Sequence, residues 1–114
     1  MLKGLGQLGD MAKMMKQAQE VQAKMTAAHE GLEELVVEGE AGAGLVKVRA
    51  NAKGDILGIE IDPSLFEADQ REVVEDLIVA GVKDAQTRGR DAAQAEIAKV
   101  TEELGLPAGM KLPF

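Results

Sequence analysis

Between Gly44 and Pro63 apolar and polar residues alternate in two successive runs. Val46, Val48 and Ala50 are spaced by Lys47 and Arg49, and Leu57, Ile59 and Ile61 by Gly58 and Glu60, the period-two signature of strands with one buried face. Ala52-Lys53-Gly54-Asp55 separates the runs and includes a glycine able to take positive φ, which predicts a hairpin. With that connection Val48 faces Ile59, Val46 faces Ile61 and Lys47 faces Glu60. Upstream, Leu35 to Glu40 reads as a third strand, and a connection through Ala41-Gly42-Ala43-Gly44 puts Val37 opposite Val48 and Glu38 opposite Lys47. The expected product is a three-stranded antiparallel meander whose polar face carries an acid-base-acid row of Glu38, Lys47 and Glu60.

On either side the period changes. Met11, Met14, Ala18, Val21, Met25, Ala28, Leu32 and Leu35 follow one another in steps of three and four, an a/d seam of more than three heptads. A helix of that span is ~35 to 40 Å long at ~1.5 Å per residue, longer than a small sheet covers, so part of it must project or pack on another chain. A second long helix is predicted from Asp69, where Glu72 completes a capping box and acids crowd the positive end of the helix dipole. Its apolar stripe runs through Val74, Ile78, Val82 and Ala85, thins at Thr87 to Arg90, and resumes at Ala93, Ile97, Val100 and Leu104. Gly89 marks a weak point, since glycine costs about 1 kcal/mol relative to alanine inside a helix. Asp62-Pro63 predicts a capped short turn through Phe66. The fold class is α+β: long helix, three-stranded antiparallel sheet, long helix.

A chain of 114 residues makes one domain, 1–114, and its Gly- and Pro-spaced ends, 1–9 and 105–114, read as mobile termini. With no Trp or Tyr and two Phe the core is thin, and oligomerisation is the natural remedy. The absence of cysteine excludes disulfides and thiolate metal sites and fits a reducing cytoplasm. Neither a signal peptide nor a membrane span is expected.

Catalytic chemistry finds little support. His29 is the only histidine and lies on a helix beside Glu30, and Ser64 is explained by local hydrogen bonding in its Asp-Pro-Ser turn. The 20 carboxylates show no metal-ligand spacing. Gly42-Ala43-Gly44 leads into a strand, not into the helix a phosphate cradle needs. No enzyme activity, cofactor, metal or small-molecule substrate is expected, which leaves a binding or architectural role.

A net charge of −7 opposes generic nucleic-acid affinity, whose main component is neutralisation of phosphates by Lys and Arg. The charges are nevertheless segregated. Residues 1–25 carry Lys3, Lys13, Lys16 and Lys24 against Asp10 and Glu20, a local balance of +2, and a smaller basic cluster, Lys83, Arg88 and Arg90, interrupts the second helix. Lys47, paired with acids on the sheet, is accounted for structurally, which argues against a DNA site on the sheet face.

Four blocks in order, MAKMMKQAQEVQAKM, GAGLVKVRANAKGDILGIEIDPSL, EDLIVAGVKDA and PAGMKLPF, resemble the YbaB/EbfC family of bacterial nucleoid-associated proteins over nearly the whole chain. Two departures are Asn51-Ala52, where the family commonly has Asn-Gly, and Val82-Lys83, where it often has Ala-Asn. The resemblance implies a tweezer-shaped homodimer of a small sheet flanked by long helices. It also implies binding of double-stranded DNA with little sequence preference, in the cytoplasm at the nucleoid. The family's DNA contacts are attributed to the helical arms without a residue motif, so charge selects the candidates: Lys3, Lys13, Lys16, Lys24, Arg88 and Arg90. The alternative is an interaction scaffold, in which the Met-rich helix offers an adaptable apolar surface to a replication or recombination protein.

Overall fold

The computed structural model describes residues 2–105, with side chains from Leu8 onward. Helix α1 (Leu2–Gly31) leads into strands β1 (Val36–Ala41), β2 (Val46–Asn51) and β3 (Ile56–Ile61). Two 3-10 turns, Pro63–Leu65 and Ala68–Gln70, then open helix α2 (Arg71–Glu103). The strands form one antiparallel sheet in the order β1-β2-β3. The described residues extend over 84 × 20 × 18 Å, so the helices run well past the sheet.

The β2–β3 pairing is the one expected from the alternation: Val46 opposite Ile61, Lys47 opposite Glu60, Val48 opposite Ile59. A bulge at Arg49/Ala50 then brings Ile56 opposite Ala50. The buried Asn51 organises the connection. Its Oδ1 accepts the Lys53 and Asp55 N–H groups at 3.0 and 3.1 Å, and its Nδ2 donates to the Asp55 carboxylate at 3.1 Å. An Asx-type turn thus does the work an Asn-Gly pair does elsewhere. The Ala52 N–H is taken by the Leu32 and Leu35 carbonyls, tying the hairpin to the end of α1.

The β1–β2 register differs from the expected one by two residues. Val37 faces Ala50, Glu38 faces Arg49 and Glu40 faces Lys47. The cause is the turn: Gly42, Ala43 and Gly44 all have positive φ, at 64°, 54° and 89°, and Leu45 N–H bonds to the Gly42 carbonyl. Ala41 therefore stays in the strand, and the connection is Gly42–Leu45. A shift of two preserves which face each side chain occupies, so the acid-base-acid row survives as Glu40, Lys47 and Glu60, with Glu38 moved beside Arg49.

Val46, Val48 and Ala50 are fully buried and receive α2 through Val74, Leu77, Ile78 and Val82. The helix lies unusually close. A Cβ on Gly39 would collide with the backbone of Ala85, one on Gly81 would stand 3.0 Å from Val48 Cγ2, and one on Gly89 2.9 Å from the Asn51 carbonyl oxygen. Gly81, Ala85 and Gly89 are one turn apart and form the seat of α2 on β1 and β2. Gly89 is therefore a contact point, and α2 continues unbroken through it. The helix also starts later than expected. Residues 68–70 form a 3-10 turn, and neither Glu67 nor Gln70 makes a side-chain cap, so the Asp69/Glu72 capping box is not formed. Asp62 does cap its turn, accepting from the Ser64 N–H at 3.0 Å and from the Ser64 hydroxyl.

Substituting Gly39 by alanine should cost about 1–3 kcal/mol, because backbone stands where the methyl must go. Gly31→Ala, with nothing within 4 Å of the new methyl, should be neutral or stabilising by ~0.4–1 kcal/mol. Urea unfolding of both variants checks the contrast.

Candidate nucleic-acid interface

Past the sheet, α1 and α2 form a two-helix arm. Val21, Ala28 and His29 are half-buried and Met25 buried on α1, with Leu32 buried just past its end, while Ala93, Ile97 and Val100 are half-buried along α2 and Leu104 at its C-cap. These are the C-terminal part of the a/d seam and the second half of the α2 stripe, as the spacing predicts. Ala27, Ala28 and Gly31 share a cleft with Glu96, which puts Ala28 near the level of Glu96; because Gly89 lies against Asn51 and Ala52, and Ala52 is bonded to Leu32 and Leu35 just past α1, the two helices run antiparallel. N-terminal to Val21 the seam is open, with Met11 60% and Met14 67% exposed.

Lys13, Lys16 and Lys24 are all exposed on α1. At ~100° per residue they fall within about 80° of one another, on the side of the helix away from the seam. Glu20 lies within the same sector, so the face is basic but not purely so. Lys3 lies outside the described side chains. Arg88 and Arg90 are exposed on α2 near its seat on the sheet, flanking the buried Gly89. Counting residues in both directions from the Ala28–Glu96 level places Lys13 and Arg88 roughly 35 Å apart along the arm. The structure thus gathers the three α1 lysines on one face and leaves the two arginines on a separate patch.

Arg88 also has a structural partner. Its Nε donates to Asp84 Oδ2 at 3.1 Å. The same carboxylate oxygen accepts the Glu40 backbone N–H at 2.9 Å, a donor on β1, which is an outer strand of the sheet. The Glu40 N–H, and after it the Arg88 side chain, hold the Asp84 carboxyl below its ordinary pKa. The i,i+4 spacing of Asp84 and Arg88 signalled the ion pair; the contact to β1, forty-four residues away in sequence, carried no local signal. Arg90 donates to the Thr87 hydroxyl at 3.4 Å.

One arm cation escaped sequence reasoning. Lys99 is exposed on α2, three residues beyond Glu96, on the segment that packs beside the Lys24 turn. It was obscured by its acidic neighbours: Asp91, Glu96, Glu102 and Glu103 make the α2 half of the arm acidic. Among the described residues there is no group of three or more His, Asp or Glu able to hold a metal ion. No described helix is long and apolar enough to cross a membrane.

The sequence profile of the YbaB/EbfC DNA-binding family matches residues 7–104. The chain belongs to this family. A nucleoid-associated protein of Agrobacterium fabrum is 49% identical over 105 residues, covering 92% of this chain and 98% of that protein. A nucleoid-associated protein of Gluconobacter oxydans is 47% identical over the same length, with 92% and 98% covered. Among solved structures, an uncharacterized protein from Helicobacter pylori superposes with a TM-score of 0.62 at 15% identity, covering 74% of this chain and 88% of that one. That likeness bears on the fold alone. In this YbaB/EbfC member the family match takes in both helices of the arm and the whole sheet.

Asp84→Asn should destabilise the protein at neutral pH, because a carboxylate with a depressed folded pKa contributes stability above its unfolded value of 3.8. As pH falls through the folded pKa that contribution disappears, so parent and variant should converge at the acid end of a pH series of thermal melts. An equal gap at every pH would remove Asp84 from the account.

Proposed function

We propose that the chain is a nucleoid-associated protein that binds double-stranded DNA as a homodimer through its projecting arms, in the cytoplasm at the nucleoid, with low sequence specificity and no catalytic step. Family membership over residues 7–104 carries the DNA-binding reading. The exposed Lys13, Lys16 and Lys24 on one face of α1 supply the phosphate contacts, and Lys3 extends the set toward the N-terminus. Lysines reaching phosphates position a protein without reading bases. The aromatic content is 2%, which offers no stacking platform for unpaired bases. The acidic half of α2 limits affinity to a modest, salt-sensitive level. Arg88 and Arg90 form a secondary patch, with Arg88 reaching a phosphate through the nitrogens its Asp84 pair leaves over.

The homodimer reading rests on uncovered apolar surface. Helix α2 covers β1 and β2, while β3 keeps Ile56, Leu57 and Ile59 39%, 48% and 43% exposed on an outer strand. Edge strands of this kind are ordinarily paired or covered. A second copy seated along β3 would bury these residues and leave both arms projecting from one body.

Light scattering coupled to size exclusion should give twice the chain mass of 12.1 kDa at micromolar concentration, and a folded monomer there would overturn the dimer. Charge reversal, Lys13→Glu with Lys16→Glu, should leave folding and dimer mass unchanged, since both side chains are exposed. It should weaken binding to unrelated duplexes by similar factors and flatten the salt dependence by roughly 0.9 for each phosphate no longer neutralised. Undiminished binding with an unchanged slope would remove the α1 lysines from the site. A parent protein that binds no duplex even at low salt would leave the interaction-scaffold reading in its place.

A further inference from the structure

The α1–α2 interface ends before α1 does. With Ala28 level with Glu96 and α2 finishing at Glu103, antiparallel packing exhausts α2 near Val21. The a/d seam continues beyond this point through Ala18, Met14 and Met11, all exposed, with Leu8 63% and Met15 64% exposed beside them. Positions next to the seam over this stretch are Asp10, Met15, Gln17 and Gln22, and the charged Lys13, Lys16 and Glu20 stand away from it. A coiled-coil seam with nearly uncharged flanks opposes no copy of itself, since partner choice is set by charges at those flanks. The same seam, one turn further along, already buries Met25 where α1 and α2 of this chain run together.

We propose that the open end of α1 is a second self-contact, in which the arm tips of two dimers overlap antiparallel through Met11, Met14 and Ala18. The inference takes its dimer from the function proposed above and adds a link between dimers. Antiparallel overlap centred on Met14 sets each Asp10 opposite an Ala18, which keeps the two carboxylates apart and the two bodies at opposite ends. Lys13 and Lys16 face outward from such a pair, so the linkage and phosphate contact are compatible on one helix. Methionine suits the joint, being unbranched and adaptable. The overlap is short, and a few Met and Ala side chains bury far less than the ~1,200 Å² of a stable specific interface. The contact therefore forms where local concentration is high, as for dimers held side by side on one duplex.

The chain has no cysteine, so single thiols report the contact cleanly. Full-length Met14→Cys and Lys13→Cys proteins are oxidised mildly, alone at high concentration and on a duplex long enough for several dimers, and sized by native sedimentation. The thiol at position 14 should cross-link about tenfold faster than that at position 13 and yield species of two or more dimers. In parallel, Met11→Gln with Met14→Gln should lose those assemblies while binding to a duplex with room for one dimer stays within about twofold, because every phosphate-binding lysine is retained. Equal cross-linking at both positions would overturn the proposal. Covalent species no larger than one dimer would also overturn it, placing the seam inside the dimer. Assemblies unaffected by the glutamine pair would do the same, leaving the seam for a different protein. Absence of duplex binding by the parent would count against the DNA reading only, since cross-linking of the protein alone still decides the arm contact.

Discussion

The close approach of α2 to the sheet is the constraint on which the rest depends. Gly39 on β1 and Gly81, Ala85 and Gly89 on α2 let two backbones nearly touch, where larger side chains would hold the helix away from the sheet. The small spacing allows short side chains, Val46, Val48 and Ala50, to be completely buried without large aromatics. Fully burying a valine is worth ~1.5–3 kcal/mol, and a core this thin gains such contributions only when nothing separates the layers. The seat also fixes the direction of α2 and hence where the arm points.

From that seat the arm is a consequence of length. Helix α2 has 33 residues, of which the stretch from Val74 to Gly89 is packed on the sheet, and the remainder, beyond Gly89, needs another surface. Helix α1 supplies one with the C-terminal half of its seam. The loop between α1 and β1 is pinned by the Ala52 N–H at the Leu32 and Leu35 carbonyls, so the angle of the arm and the shape of the hairpin are set together. Asn51, buried and fully bonded, is the hinge pin of both.

Electrostatically, the molecule divides its labour. Asp84 and Arg88 use opposite charges to cap the Glu40 N–H on β1, an intramolecular task. The α1 lysines have no such partner among the described ion pairs, and they sit on the most projecting part of the fold. An acidic chain in the YbaB/EbfC family thus keeps a limited basic face by setting three lysines, with Glu20 among them, on the far side of α1.

The sequence by itself determined the order of elements, the β2–β3 register and the strand faces, because each follows from a period, two or three-and-a-half, that near neighbours express; the helical seam read through Leu35 stops with α1 at Gly31. It also showed that the lysines of α1 lie opposite the seam, a matter of helical angle alone. The β1–β2 register escaped it because consecutive positive-φ residues moved the turn by one position, and the absent capping box because a 3-10 turn took up residues 68–70. The meaning of Gly89 was inverted for the same kind of reason: helix propensity sees a missing side chain, whereas only packing reveals that Asn51 backbone occupies its place. Which half of the seam is covered, which outer strand is open, and that Arg88 serves β1 through Asp84 were decided by contacts between residues far apart in the chain, and distance through space is what a linear pattern does not encode.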